Sequence, residues 1–443
     1  MTEQATERKV AEAQTAALEL AKLDDDERSD ALHAVADALG ENEDRILDAN
    51  EKDVTEGEEM LEAGEYSQAL VDRLKLSPSK LEDIAEMVRS VAEQEDPLGR
   101  TLSARRLDDG LELYKVGVPI GVIGTVFESR PDALVQIAAL SLKSGNAVIL
   151  KGGSEASHSN RVLYEIIREA TGDVPDGWAQ LIEAREDVNT MLDMDDAIDL
   201  LMPRGSSEFV SYIQDNTKIP VLGHTEGVCH VFVDRDADLS MAADVAFDAK
   251  VQYPAVCNAV ETLLVHESVA ADFLPGMVDR YEEAGVTLRG DAATREVVDI
   301  DPATDTDWET EYGDLELSIK VVGSLDEAID HINAYGSKHT ESILTEDADR
   351  ASTFMRSIDA ASVFHNASTR FADGYRYGLG AEVGISTGKI HARGPVGLDG
   401  LTTYKYYLEG SGQLVATYSG ENAKPYLHEE FAGEWIPGHL AEE

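Results

Sequence analysis

Two short, almost wholly apolar runs, "PIGVIGTVF" at 119–127 and "NAVILK" at 146–151, flank the helical stretch "PDALVQIAALSLKSG". A strand apolar on both faces has to be covered on both, so such runs belong to parallel sheets packed between helices. The rhythm returns in "AIDLLMPRG", "CHVFVD" and "VETLLVH", interspersed with helical "RVLYEIIREA" and "ADFLPGMVDRYEEAG". That alternation predicts an α/β protein with mostly parallel sheet. A chain of 443 residues exceeds one compact core, so two or three domains are expected.

The first 95 residues read as helices. In "RSDALHAVADALG", Ser29 is the expected N-cap, Leu32, Val35 and Leu39 share a face, and Gly40 is the expected stop. "SKLEDIAEMVRSVAEQ" repeats the pattern with Leu81, Ile84, Met87, Val88 and Val91. Further on, Asp108-Asp109-Gly110 separates two alternating segments and predicts a hairpin. Residues 401–417 alternate around Gly410-Ser411-Gly412 and are expected to form a second one. From about 419 the chain is acidic and without period, which suggests a surface-wrapping or mobile tail.

Charge excludes some functions. With 37 basic against 87 acidic residues the net charge is −50, which argues against non-specific binding to nucleic acid or anionic membranes. The acids are spread along the chain, and 43% hydrophobic residues are too many for disorder. A folded protein with an acidic, hydrated surface is expected, of the kind that concentrated salt favours by screening self-repulsion. No apolar run reaches the roughly 18 residues that span a bilayer, and the polar N-terminus lacks a signal-peptide core. Two cysteines cannot build a disulfide framework. A soluble, cytoplasmic protein is the expectation.

Familiar chemical motifs are missing. No G-x-G-x-x-G follows a strand, and "GLGAEVG" at 378–384 has the wrong spacing. There is no P-loop, no G-x-S-x-G, no H-E-x-x-H and no Cys/His pairing at zinc spacing, so no metal is expected. Cys257, between the turn-like "YPAVCN" and an apolar run, is either a buried spacer or a nucleophile beside oxyanion-holding backbone amides. Cys229 opens a buried strand and reads as a spacer.

Two strand-to-helix turns offer anion sites. In "ILKGGSEASHSN", Lys151 and the backbone of Gly152 and Gly153 could meet a phosphate or ribose, although an ordinary turn would look the same. In "LLMPRGSSEFVSYI", Arg204, Gly205 and Ser206 precede a helix beginning near Ser207. Arg130, Arg370 and Arg393 lie in polar loops, where each could hold a substrate anion or pair with one of the many acids.

Taken in order, "GVPIGVIGTVFESRPD", "SLKSGNAVILKGGSEA", "LMPRGSSEF", "GVCHVFVD", "CNAVETLLV", "NASTRFADGYRYGLGAEVGIST" and "HARGPVGLDGLTTYKYY" resemble the gamma-glutamyl phosphate reductases, also called glutamate-5-semialdehyde dehydrogenases. These form a branch of the aldehyde dehydrogenase superfamily, and the resemblance runs from about 5 to 415. It implies an aldehyde dehydrogenase-like α/β fold. An NADP-binding, Rossmann-like domain would take residues 1–229 with 366–400, and a catalytic domain residues 230–365. Oligomerisation hairpins would lie at 101–118 and 401–418, leaving 419–443 as an acidic extension. By motif, Cys257 resembles the nucleophile. Lys151, Gly153 and Glu155 match the turn on the adenosine ribose, Gly205 and Ser206 the pyrophosphate turn, and Glu311 the glutamate on the nicotinamide ribose. Arg130, Asn258, Ser368, Thr369 and Arg370 are the expected substrate residues, with Arg130 for phosphate and Ser368, Thr369 and Arg370 for the amino-acid end.

One departure from the wider superfamily shapes the chemistry. Where hydrolysing members carry a glutamate base in "E-L-G-G-K", this chain has "LGHTEG", with Gly223 at the matching place and Glu226 displaced. The "P-W-N-F-P" asparagine is replaced by "FESRPD". The resemblance therefore implies NADPH-dependent reduction of L-glutamyl 5-phosphate to L-glutamate 5-semialdehyde, through a Cys257 thioester kept from water. It implies a homo-oligomer, dimer or tetramer, and a functional pairing with glutamate 5-kinase. A hydrolysing aldehyde dehydrogenase and a non-catalytic scaffold of the same fold are the rival readings.

Overall fold

The computed structural model describes residues 3–128, 130–184, 186–224 and 226–436. Helices Glu3–Leu20, Asp25–Glu41, Glu43–Glu62, Gln68–Leu74 and Pro78–Ala92 come first. The second starts earlier than expected: Asp24, not Ser29, is its N-cap. The Asp24 carboxylate accepts the Glu27 amide, and Glu27 returns the bond to the Asp24 amide, both at 2.9 Å. This reciprocal box, with three acids in the first turn complementing the helix dipole, outweighs a lone serine. Ser29 instead donates to the Ala92 carbonyl, and the helix runs past Gly40 to Glu41.

The expected strand–helix–strand unit forms a four-stranded parallel sheet in the order Ala179–Ile182, Ala147–Gly152, Val122–Phe127, Leu200–Arg204. Val122–Phe127 and Ala147–Gly152 are buried along their whole length, as strands covered on both faces must be. Helix Pro131–Lys143 is nearly all buried between the sheet and the N-terminal helices. Its last residue, Lys143, lies at 2.5 Å from Asp25 and 2.8 Å from the Ala92 carbonyl. A cation buried in so acidic a chain is thereby fully partnered.

A second parallel sheet of seven strands begins at Cys229–Val233. Its order is Asp301–Pro302, Thr287–Gly290, Glu316–Val322, Val260–His266, Cys229–Val233, Thr340–Leu344, Ser362–His365. Helices Leu239–Val251 and Glu267–Glu283 pack on one face around Phe273, Leu274 and Tyr281. Leu325–Tyr335 and Ala348–Ser357 cover the other around Phe232, Ile332 and Phe354. Beyond this sheet the chain returns to the first core, which takes in Ala381, Val383, Val396 and Leu398.

The first hairpin is present as Thr101–Asp108 and Leu111–Pro119. The second is not. Thr402–Gly410 stays extended as one strand and adds antiparallel to Leu111–Pro119 over its full length, while Val415–Tyr418 coils into a 3₁₀ turn. Main-chain bonds from an existing strand outcompete local fold-back. The described part of the C-terminal extension wraps this sheet. Glu429–Phe431 pairs with the free edge of Thr101–Asp108, and Trp435 stacks on Tyr407 at 4.3 Å between ring centroids. Among the described residues no helix is long and apolar enough to cross a membrane.

Candidate active site

A cavity of about 800 Å3 lies where the two parallel sheets face one another. The four-stranded sheet contributes the carboxyl ends of Val122–Phe127 and Leu200–Arg204, the adjacent pair at which its strand order reverses. Such a switch point leaves a crevice outside the strand ends. From it come Phe127, Glu128, Arg130, Met202, Arg204, Gly205 and Ser206. The seven-stranded sheet presents its opposite ends. Cys257 sits just ahead of strand Val260–His266 and Glu311 just ahead of Glu316–Val322, and both line the cavity.

Local sequence puts the Cys257 turn where it is. Helix Leu239–Val251 stops before Pro254, and a turn closes with the Ala259 amide on the Val256 carbonyl at 2.9 Å. Gly227 packs directly against this turn, where a Cβ would stand 2.0 Å from the Cys257 carbonyl oxygen. Only glycine allows that approach. Below it Cys229 is wholly buried and its thiol donates to the same carbonyl at 3.2 Å, which agrees with a structural role. Burial, then the Glu311 and Glu382 carboxylates, push the Cys257 thiol up to about 12; Arg204 pulls the other way. At neutral pH the thiol therefore keeps its proton.

Cations are scarce in this chain but concentrated here: Arg73, Arg130, Arg204, Arg370 and Arg376 line the cavity. Arg370 stands on the 3₁₀ turn Thr369–Phe371, which Ser368 caps by accepting the Arg370 amide at 3.3 Å. Its guanidinium donates to Gln252 Oε1 at 3.0 Å and to Asn258 Oδ1. Asn258 Nδ2 in turn donates to the Ala372 carbonyl at 2.8 Å, so the residue after Cys257 ties the cysteine turn to the arginine loop.

The cofactor expectation can be tested against the four-stranded sheet. Lys151, Gly152, Phe127 and Arg204 lie level across three paired strands, since Val126 is opposite Lys151, and Phe127 is opposite both Gly152 and Arg204. One line of strand ends thus joins the Lys151–Gly153–Glu155 turn to the Gly205–Ser206 turn. Ser206 caps helix Ser207–Asp215, and its amide donates to the Glu128 carboxylate at 3.2 Å, so an anion already occupies that helix N-terminus. A Cβ on Gly205 would meet the same carboxylate at 2.7 Å, which leaves the backbone open to close approach. The residues present fit an extended dinucleotide.

The structure brings Cys257, Asn258, Arg130, Arg370, Gly205, Ser206 and Glu311 into the lining wall of a single cavity, from both sheets. Lys151, Gly153 and Glu155 lie farther along the sheet edge, outside that wall. Ser368 and Thr369 are buried behind Arg370 rather than in the wall. Arg393 belongs to a surface cluster, 2.9 Å from Asp359, which Lys389 also reaches at 2.8 Å. Sequence reasoning missed Arg376, Tyr253, His224 and Glu382. Glu382 falls in "GLGAEVG", which drew notice only as a failed nucleotide fingerprint, and His224 adjoins Gly223 in "LGHTEG".

A switch-point crevice on one sheet, facing a cysteine turn on a second, defines the aldehyde dehydrogenase class, and the model described as "Aldehyde dehydrogenase family" matches residues 1–307. Among relatives, the Gamma-glutamyl phosphate reductase of Natronomonas pharaonis is 76% identical over 439 residues, covering 99% of this chain and 100% of that one. The protein of the same name from Methanococcoides burtonii is 55% identical, covering 96% of each. A crystal structure of Gamma-glutamyl phosphate reductase from Thermotoga maritima, 43% identical, superposes with a TM-score of 0.89 over 92% of this chain and 99% of that one. The chain belongs to the gamma-glutamyl phosphate reductases, nicotinamide-dependent oxidoreductases of the aldehyde dehydrogenase family that reduce glutamyl phosphate in proline biosynthesis.

Proposed function

We propose that Cys257 carries the reduction as a covalent nucleophile. The observation that supports this most is that Cys257 shares one cavity with five arginines in a chain where acids outnumber basic residues 87 to 37. An acyl phosphate with an amino-acid carboxylate is a multiply anionic substrate, and guanidinium forks suit both of its ends. Arg130, near the Gly205–Ser206 turn, takes the phosphate; Arg370, held by Gln252 and Asn258, takes the amino-acid end. Ser368 and Thr369 support that end from behind by fixing the Arg370 turn.

The thiol must lose its proton as it attacks, that proton ends on the departing phosphate, and the cavity arginines set the direction. An arginine drawn toward the sulfur favours thiolate, whereas Glu311 and Glu382 oppose it until they are screened or partnered. The Cys257 thiolate attacks the acyl carbon, the C–O bond to phosphate breaks, and the phosphate takes up the proton the thiol released and leaves as the HPO4 dianion beside Arg130. Backbone amides around Cys257 hold the oxyanion, because the Asn258 side-chain amide is committed to Ala372. A nicotinamide dinucleotide held by the Gly205–Ser206 turn and Glu311 would supply the hydride, and Cys257 would carry the acyl group as thioester and then thiohemiacetal until the semialdehyde is released. Gly223 offers no carboxylate to activate water, which leaves phosphate as the partner for the acyl group.

NADP(H) is the proposed cofactor, with Lys151, Gly153 and Glu155 at its adenosine ribose, Gly205 and Ser206 at the pyrophosphate and Glu311 at the nicotinamide ribose. The chain is proposed to act in the cytoplasm as a dimer or tetramer. Support for association comes from the antiparallel sheet, whose strand Thr402–Gly410 exposes Tyr404, Tyr406 and Leu408. Glutamyl phosphate hydrolyses readily, so pairing with the glutamate 5-kinase that supplies it is also proposed. The test is Cys257→Ser: loss of reductase turnover with unchanged cofactor binding supports the reading, and near-normal turnover refutes it.

A further inference from the structure

Three side chains remote in sequence converge beside the cavity: His224 and Cys257, which line it, and the buried His339. One ring nitrogen from each histidine and the cysteine sulfur lie within 4.8 Å of one another. The histidine rings meet edge to face with centroids 5.2 Å apart. His224 Nδ1 is 3.0 Å from the Ile385 carbonyl and must donate to it, which leaves Nε2 with a free lone pair. His339 Nδ1 is engaged by Thr340 Oγ1 at 2.8 Å, while its buried Nε2 has no hydrogen-bond partner. A buried ring nitrogen left alone is unusual and asks for a ligand.

We propose that His224, Cys257 and His339 form a reversible binding site for a thiophilic divalent cation of the Zn2+ type. One thiolate and two imidazoles are the donors such a cation prefers, whereas Mg2+ and Ca2+ require oxygen. The Nδ1–H bond from His224 to a backbone carbonyl is the outer contact that orients a metal-binding ring. Tetrahedral coordination needs donors roughly 3.5 Å apart, so the side chains draw together on the ion. Three protein donors leave the fourth position open toward the cavity, for water or a substrate carboxylate. Binding exchanges the Cys257 S–H bond for an S–metal bond and releases the proton to solvent, with no change of oxidation state.

The consequence is inhibition: a sulfur held by metal cannot form a thioester. This part rests on Cys257 being the nucleophile, whereas the binding itself does not. The many surface carboxylates offer hard, scattered donors that salt screens. A sulfur–nitrogen site set into the cavity wall therefore stands apart from them in affinity.

The test uses full-length, chelator-stripped protein in roughly 1 M KCl, with Co2+ as the spectroscopic probe. One equivalent should give the intense visible bands of tetrahedral Co2+ with a sulfur-to-cobalt charge-transfer band, both displaced by Zn2+. Cys257→Ser should remove the charge-transfer band. His224→Asn and His339→Asn should each weaken binding at least about tenfold. Because His339 is buried, thermal melts accompany its variant, and His224→Asn on the cavity wall carries the test should the other unfold. Stoichiometric Zn2+ should also shield Cys257 from iodoacetamide in the wild type but not in His224→Asn, and EDTA should restore turnover. Absence of the charge-transfer band, or equal affinity in wild type and His224→Asn, overturns the site. Turnover surviving in Cys257→Ser would instead overturn the nucleophile while leaving the cobalt spectrum of the wild type intact.

Discussion

Lys250 Nζ lies 2.6 Å from a Glu261 carboxylate oxygen, both side chains fully buried, and the other oxygen accepts the Gly313 amide at 3.3 Å. Gly313 follows Glu311 closely, so this buried pair anchors the segment that brings Glu311 to the cavity. Burial disfavours both charges, lifting Glu261 to about 7 and lowering Lys250, and each ion depends on the other. Glu261→Ala strands the ammonium and should cost about 3–5 kcal/mol. Lys250→Met with Glu261→Met should recover most of that stability. Both variants should keep a raised KM for the cofactor, because the Gly313 amide has lost its acceptor. Thermal melts and cofactor titration check this; equal melts for the single and double variants would count against it.

The raised Cys257 pKa has a chemical readout. With the thiol at about 12, alkylation by iodoacetamide in the absence of ligands should be far slower at pH 8 than for a free cysteine. It should climb as pH rises past about 9, because each step toward 12 enlarges the thiolate fraction. Glu311→Gln or Glu382→Gln removes a charge that opposes the thiolate, so the thiol should titrate at lower pH. Alkylation at pH 8 should then quicken about tenfold for each pH unit by which the titration midpoint falls. A pH series read by mass spectrometry decides. Unchanged profiles in both variants would contradict the assigned cause.

Glu128 occupies the turn proposed for the cofactor pyrophosphate, through its bond with the Ser206 amide. A carboxylate there competes with and repels an incoming phosphate. Glu128→Gln should therefore tighten dinucleotide binding by about fivefold, close to 1 kcal/mol for a charge pair at such range in water. Calorimetry in low salt measures it, and weaker binding by the variant would contradict the placement.

A net charge of −50 leaves strong self-repulsion in the folded state. Raising KCl from about 0.1 M to roughly 1 M shortens the Debye length from ~10 Å to ~3 Å, so Tm should rise over that range. The Lys143–Asp25 contact, whose lysine is wholly buried, should feel little of this screening. A Tm that falls or stays level across the series would contradict the account of the surface.

Much of this architecture is legible in the sequence because burial on both faces leaves an unmistakable mark. "NAVILK", "CHVFVD" and "VETLLVH" became strands of parallel sheets, as did "PIGVIGTVF" from Val122 onward. Legibility fails where the deciding contact is long-range. Thr402–Gly410 alternates like half of a hairpin, but its partner, Leu111–Pro119, lies far back in the chain. The Ser29 cap lost to Asp24 through a reciprocal bond that a single-residue rule does not weigh. At the site, the turns holding Cys257, Gly205 and Ser206 stood out in the sequence, and all three line the cavity. Glu382 and Arg376 sit in loops without periodicity, and only folding brings them to Cys257. The same holds for the clustering of His224 and His339 about that sulfur, where residues 224, 257 and 339 share no motif spacing.

The most direct test of the central claim, that phosphate and not water is exchanged at Cys257, is the reverse reaction. Purified protein is given glutamate 5-semialdehyde and NADP+ with and without inorganic phosphate, and NADPH formation is followed. The account predicts turnover that requires phosphate, yields glutamyl phosphate and vanishes in Cys257→Ser. Sustained NADPH formation without phosphate, with glutamate as the product, would contradict it.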